Sequence, residues 1–134
     1  MLKIPDGRPL DLAVVVDSSD DLSSDAWNTI ISFTKNIIDS FPPSKNGTHI
    51  GFVTYGDEAI VNFNFATKRP DGDVDRDLLK SLIDTIKYQR KGDRRIDNAL
   101  DVTNRNLFSQ SGGSRPNARK VCFLWATLFC IVFL

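Results

Sequence analysis

The sequence of 134 residues is poor in the residues that catalysis and disulfide frameworks require. It has one histidine, His49, and two cysteines, Cys122 and Cys130. A lone histidine gives no Ser-His-Asp arrangement from which nucleophilic catalysis could be argued. Neither GxxxxGK nor GxGxxG occurs, so the usual glycine loops that hold nucleotide phosphates are missing. The sequence therefore predicts no enzyme and no nucleotide ligand.

Both cysteines lie in the uncharged segment from Val121 to Leu134. If that segment is one extended strand, the two cysteines are about 26 Å apart, beyond disulfide reach, which favours buried thiols. The segment is shorter than the roughly 20 apolar residues of a membrane span. We interpret it as a buried strand and a truncated C-terminus, with 128–134 as a short apolar tail. Membrane contact through this tail is the less favoured alternative.

Two further absences concern targeting and charge. The opening MLKIPDGRPL has no apolar run like that of a signal peptide, because Pro5, Asp6 and Gly7 interrupt it, so no signal peptide is predicted. The formal net charge is zero. No dense basic stripe with interleaved aromatic residues is present, so nucleic acid is not an expected partner.

What the sequence does contain is a regular alternation of strand and helix patterns. The valine-rich run after Asp11 is typical of a strand that is buried on both faces. A turn at Gly56–Glu58 followed by alternating residues predicts a hairpin. Three stripes of helical spacing lie between the predicted strands, and QSGGSRPN reads as a flexible surface loop. This order predicts an α/β fold, a doubly wound and mostly parallel sheet with one antiparallel edge strand, incomplete at the C-terminus.

Four segments follow one another along the chain: DLAVVVDSSDD, DAWNTIISFTKNII, THIGFVTYGDEAIVNFNF and GDRRIDNALDVTNRNLF. Together they resemble the von Willebrand factor type A domain in its extracellular matrix and adhesion branch. The resemblance covers residues 10–127 in the family's order. It implies a C-terminally truncated, partial domain, because the family's domain continues with further strands and helices.

The resemblance also implies a metal-ion-dependent adhesion site, although the match is incomplete. The family begins that site with Asp-x-Ser-x-Ser; here Asp17 and Ser19 match, but Asp21 stands at the second serine. Arg94 falls where the family has a threonine, and no acid follows Asp101 to supply the last ligand. The implied metal ligands Asp17, Ser19 and Asp21 thus form a degenerate site. No cofactor is expected beyond weak Mg²⁺ binding, and Arg94 is expected to pair with Asp17 or Asp21 in place of the metal.

By this resemblance the chain is a non-enzymatic protein-binding module of the extracellular space. Its partner would be a collagen-like or other matrix or adhesion protein, docking around Asp17, Ser19 and Arg94. Asn46 begins a glycosylation sequon, Asn-Gly-Thr, in a predicted surface turn, which agrees with an extracellular location. The alternative is an intracellular domain of the same family that serves as an assembly platform in a larger complex. Glycan occupancy at Asn46 would discriminate between the two hypotheses.

Overall fold

A computed structural model of the chain describes residues 8–126 and 129–133. The five strands are β1 (Leu10–Asp17), β2 (Thr48–Tyr55), β3 (Ala59–Phe63), β4 (Arg119–Ala126) and β5 (Phe129–Phe133). They form one sheet in the order β3-β2-β1-β4-β5. The central strand β1 pairs in parallel with β2 and β4, while β3 and β5 are antiparallel on the two outer sides.

Three helices connect the strands. They are α1 (Ser24–Ser40), α2 (Arg76–Thr85) and α3 (Ile96–Val102), the last continuing into a π-helical turn, Thr103–Leu107. Two of them begin at side-chain caps, because Ser23 accepts a hydrogen bond from Ala26 N and Asp75 accepts one from Leu78 N. None of the helices in the described part of the chain is both long and apolar enough to cross a membrane.

The helices cover both faces of the sheet, and β1 supplies side chains to both. Leu12, Val14 and Val16 point into the core shared with α1 and α2. Ala13 and Val15 point into the second core, against α3 and the π-helical turn. Each of these five side chains is at most 1% exposed. Burial on both faces explains why the strand reads as an unbroken apolar run.

The doubly wound sheet, its parallel centre and its antiparallel edge at β3 are confirmed. The structure adds a strand that the sequence analysis did not predict, because Phe129–Phe133 of the expected apolar tail forms β5, a second antiparallel edge. Cys122 and Cys130 therefore do not share one strand. Uniform apolarity could not show where this segment turns back. The signal-peptide prediction for residues 1–7 and the boundary at 127/128 lie outside the described residues.

The loop QSGGSRPN makes buried contacts that its composition does not indicate. Its Arg115 donates two hydrogen bonds to Asp11 Oδ1, from Nε at 2.9 Å and from Nη2 at 2.8 Å. Arg115 N and Ser114 Oγ donate to the other oxygen, Oδ2, at 2.7 and 3.2 Å. Asp11 lies on β1 and is fully buried. We call Asp11, Ser114 and Arg115 the Asp11 clamp; it fastens the loop to the amino end of the central strand.

Candidate functional site

The carboxyl end of β1 is the place in this sheet where a binding site is expected. Strands β2 and β4 lie on either side of β1, so the strand order reverses at β1, and ligands of open α/β sheets bind in the crevice outside such a point. Three segments meet at this edge: the β1–α1 loop 18–23, the β2–β3 turn 56–58, and residues 87–95 before α3. We call residues 87–95 the strap.

Asp17 is the buried centre of this edge. It is the last residue of β1 and is 0% exposed. Its Oδ1 accepts a hydrogen bond from Ser19 N at 2.8 Å, which turns the loop sharply back on the strand end. Its Oδ2 is 2.5 Å from Arg94 Nε. Ser18 N continues the strand's hydrogen bonding to Tyr55 O at 2.7 Å.

Arg94 joins two of the predicted acids. Besides Asp17, its Nη2 donates to Asp21 Oδ2 at 3.2 Å. The expected ion pair of Arg94 with Asp17 or Asp21 is therefore confirmed, and it forms with both. The hydrogen bond with Asp17 raises the pKa of Arg94 above its ordinary value, so the guanidinium stays charged. The Arg94 side chain is 28% exposed and Asp17 is wholly covered, so Arg94 lies between Asp17 and solvent.

The strap is bound to the β1–α1 loop mainly through its backbone. Gln89 N donates to Ser18 Oγ at 3.0 Å, and Lys91 N donates to Ser18 O at 3.1 Å. Gly92 and Asp20 exchange two hydrogen bonds, at 2.9 and 3.0 Å. These contacts use main-chain atoms, the Ser18 hydroxyl and the Asp20 carboxylate, and every partner in the strap is a main-chain atom, which no charge pattern in the sequence could reveal. They place Arg94 over Asp17.

Tyr88 anchors the start of the strap. Its ring stacks on Trp27 of α1 with centroids 5.5 Å apart, and its hydroxyl donates to Ser19 O and Leu22 O. The guanidinium of Arg90 lies 5.1 Å from the ring centroid of Tyr88, within cation–π range. Sequence reasoning missed Tyr88. An aromatic residue between a helix and a basic loop is only a weak signal for such a role.

The strap also contacts the β2–β3 turn. Asp57 N donates to Lys91 O at 2.7 Å, and Arg95 N donates to Gly56 O at 3.1 Å. Asp57 Oδ1 accepts from Asp93 N at 2.7 Å. Tyr55 lies just before this turn, and its hydroxyl donates a hydrogen bond to Trp125 O at 3.1 Å. The pKa of its phenol is raised, mainly because the group is buried and secondly because Asp17 is negatively charged. The site is thus a junction of three segments that hydrogen bonds join to one another.

Ser19 is the remaining predicted ligand. It is fully buried, and its Oγ has no hydrogen-bond partner among residues 8–126 and 129–133. Within the same residues, no group of three or more histidine, cysteine, aspartate or glutamate side chains is placed to hold a metal ion. The structure thus brings together Asp17, Ser19, Asp21 and Arg94, while Asn46 lies elsewhere, exposed in the loop that leads into β2.

Residues 11–127 match the family model of the von Willebrand factor type A domain. Mouse vitrin is 26% identical over 88% of the chain, and rat von Willebrand factor is 26% identical over 86%. Mouse matrilin-2 is 27% identical over 84%. The aligned parts make up 18%, 26% and 11% of those relatives, so the chain spans a small part of their length.

Solved structures agree on the fold. Proximal thread matrix protein 1 from the mussel byssus superimposes with a TM-score of 0.77 over 87% of the chain and 30% of its own length, at 21% identity. A second structure of the same mussel protein has a zinc-occupied metal-ion-dependent adhesion site and gives the same TM-score of 0.77.

Proposed function

Because the chain belongs to the von Willebrand factor type A family, we propose that it is a non-enzymatic module that binds a matrix or adhesion protein. The docking face is the edge around Asp17, Ser19 and Arg94. The observation that carries this proposal is the Arg94 guanidinium, held on Asp17 and Asp21 at the crevice of the sheet. Fixed hydrogen-bond donors on a rigid strap suit recognition of a protein surface.

An extracellular location is part of the same proposal. The relatives include matrilins and a matrix protein of the mussel byssus, which supports a setting outside the cell. Asn46 is exposed in its loop, so the folded domain can carry a glycan there. A collagen-like partner follows from the resemblance to the matrix branch of the family.

We further propose that the metal site of the family is degenerate in this chain. A divalent ion would need Asp17 Oδ2, which Arg94 Nε already contacts at 2.5 Å. Mg²⁺ requires near-octahedral oxygen ligands at about 2.0–2.1 Å, and a guanidinium in the same place repels it. The unpartnered Ser19 Oγ is a suitable oxygen, as the family's pattern implies. The present residues therefore do not fit a tightly bound ion while Arg94 is in place.

The proposed function is tested with the chain secreted from mammalian cells. We expect a glycan at Asn46, seen as a mass shift that peptide N-glycosidase removes and that Asn46→Gln lacks. We also expect saturable binding to collagen fibrils or to extracellular-matrix extract that persists in EDTA, because Arg94 replaces the metal. Arg94→Gln should weaken this binding by about tenfold, the loss of one charged contact.

Arg105→Gln serves as the control, since Arg105 pairs with Asp101 on the exposed surface and lies away from the crevice. Absence of binding, or binding that EDTA abolishes, would contradict the proposal.

The degenerate site predicts that Arg94→Thr creates metal affinity. Calorimetric titration with Mg²⁺ and Mn²⁺ should show weak binding to the unmodified chain and binding at least about tenfold tighter in the variant. Two like charges about 4 Å apart near a protein surface repel by roughly 4 kcal/mol, part of which salt screens. Arg95→Thr is the matched control, because Arg95 carries the same charge but pairs with exposed Asp97. Tight binding by the unmodified chain that Asp17→Ala removes would overturn this prediction.

A further inference from the structure

A cavity of about 290 Å³ lies near the amino end of β2, away from the Arg94 face. His49, the second residue of β2, lines it. Tyr55, at the other end of the same strand, lies beside Ser18 of the Arg94 face. Tyr55 is six positions after His49 along the strand, which corresponds to about 20 Å. The cavity is therefore distinct from the docking face proposed above.

The walls of the cavity combine an apolar surface with cationic side chains. Phe65 and Val74 are both buried and supply apolar surface, and Lys45, His49 and Lys68 supply the ionisable groups. No carboxylate side chain is among the residues that line it in the described part of the chain. We call it the lysine cavity. An apolar wall with a few convergent polar or charged groups is the usual composition of a small-molecule site.

The acids that flank Gly72 accept hydrogen bonds from the backbone of their own turn. Asp71 and Asp73 flank Gly72, which lines the cavity. Asp71 Oδ1 accepts from Asp73 N at 3.0 Å, and Asp73 Oδ1 accepts from Val74 N at 2.9 Å. Their carboxylates therefore serve the local backbone, while the two lysines are exposed at the cavity.

His49 holds one side of the cavity in place. Its Nε2 lies 2.9 Å from Lys45 O. A carbonyl oxygen only accepts, so Nε2 carries the proton of this hydrogen bond. The contact ties the loop that carries Lys45 to strand β2, so the loop is fixed before any ligand arrives. Pre-formed walls lower the entropy cost of binding.

We propose that the lysine cavity binds a small carboxylate ligand with an apolar body. The apolar part packs against Phe65 and Val74, and the carboxylate meets Lys45 and Lys68. At about 30 Å³ for each water molecule, the cavity has the volume of about ten waters. An anion of about ten non-hydrogen atoms fits this space, and phenylacetate is a probe of that size.

The test is an NMR titration of the full chain with phenylacetate and, separately, with phenylacetamide. The amide has the same shape without the charge. We expect saturable shifts of the His49 ring resonances and of the Gly72 and Gly113 amides with phenylacetate, with a Kd on the order of 1 mM. His49 is the only histidine in the sequence, so its ring signals report this cavity alone. Phenylacetamide should bind at least about fivefold more weakly.

Two double variants complete the experiment. Lys45→Gln with Lys68→Gln should weaken phenylacetate binding by about fivefold or more. Lys87→Gln with Lys91→Gln removes the same charge from the strap and should leave the Kd unchanged. Both pairs lie on the surface, so amide spectra with unchanged dispersion will show that the variants are folded. Equal binding of the amide, equal loss in the two double variants, or no saturable shift would overturn the proposal.

Discussion

Replacing Arg115 with methionine is expected to lower the free energy of unfolding by about 3–5 kcal/mol, measured by urea denaturation. The change keeps an unbranched side chain but removes the guanidinium that donates to Asp11 Oδ1 and to the carbonyls of Leu10 and Gly47. Asp11 is fully buried, so its carboxylate cannot recover the lost partner from solvent. An uncompensated buried charge is among the most costly defects in a folded protein.

Two comparisons make this prediction specific to the Asp11 clamp. Arg105→Met removes a pair with Asp101 in which both side chains are largely exposed, 75% and 50%, and should cost less than about 0.5 kcal/mol. Asp11→Val combined with Arg115→Met removes both charges and should recover much of the stability lost in the single variant. A loss below about 1 kcal/mol in Arg115→Met, or a double variant no more stable than the single, would contradict the role of the clamp.

The Asp11 clamp also shows what composition could not reveal about the loop 110–117. Gly, Ser and Pro favour turns, and nothing local to QSGGSRPN indicates a buried partner. The signal lay in β1, where Asp11 stands between apolar residues near the start of the strand. A carboxylate that is fully buried needs a cationic partner, because the cost of removing it from water is otherwise uncompensated. The sequence contains this requirement, but the identity of the partner depends on a contact between residues more than a hundred positions apart.

The sheet and the Arg94 pair were predictable for different reasons. Strand and helix periods are local, so the order of elements up to β4 could be read from hydrophobic spacing. The pairing of Arg94 with Asp17 and Asp21 followed from matching the chain to a family pattern. By contrast, β5 lies in a segment whose residues are almost uniformly apolar, so no change of period marks the turn before it. The backbone contacts of the strap leave no trace in residue type at all.

Gly56→Ala is expected to destabilise the domain by about 2–3 kcal/mol and to loosen the strap. A Cβ at this position would lie 1.9 Å from Lys91 O, a backbone atom that cannot rotate aside. The strap or the turn must shift, and the hydrogen bonds from Asp57 N to Lys91 O and from Arg95 N to Gly56 O are strained first. Urea denaturation measures the loss, and amide hydrogen exchange at Asp57 and Arg95 should become faster.

Gly72→Ala separates this effect from the general cost of replacing a glycine. Beyond Gly72 and its two chain neighbours, no atom in the described part of the chain lies within 4 Å of a Cβ at this position. That variant therefore meets only the backbone cost of its φ of +90°, about 1–2 kcal/mol. Its hydrogen exchange should change near residue 72 and leave the strap as it was. In Gly56→Ala, by contrast, most of the lost stability comes from the clash of the new Cβ with the strap.

The Gly56 experiment also tests how the strap holds Arg94 over Asp17. If the turn positions the strap, displacing Lys91 also shifts Arg94, and the Arg94 side-chain signals in Gly56→Ala should move toward those of an exposed arginine. The Tyr88 anchor on Trp27 is remote from Gly56 and should persist, since its stacking and hydroxyl contacts involve α1 and the β1–α1 loop. Unchanged exchange at Asp57 and Arg95, together with full stability, would show that the strap is positioned by Tyr88 and Asp20 without the turn.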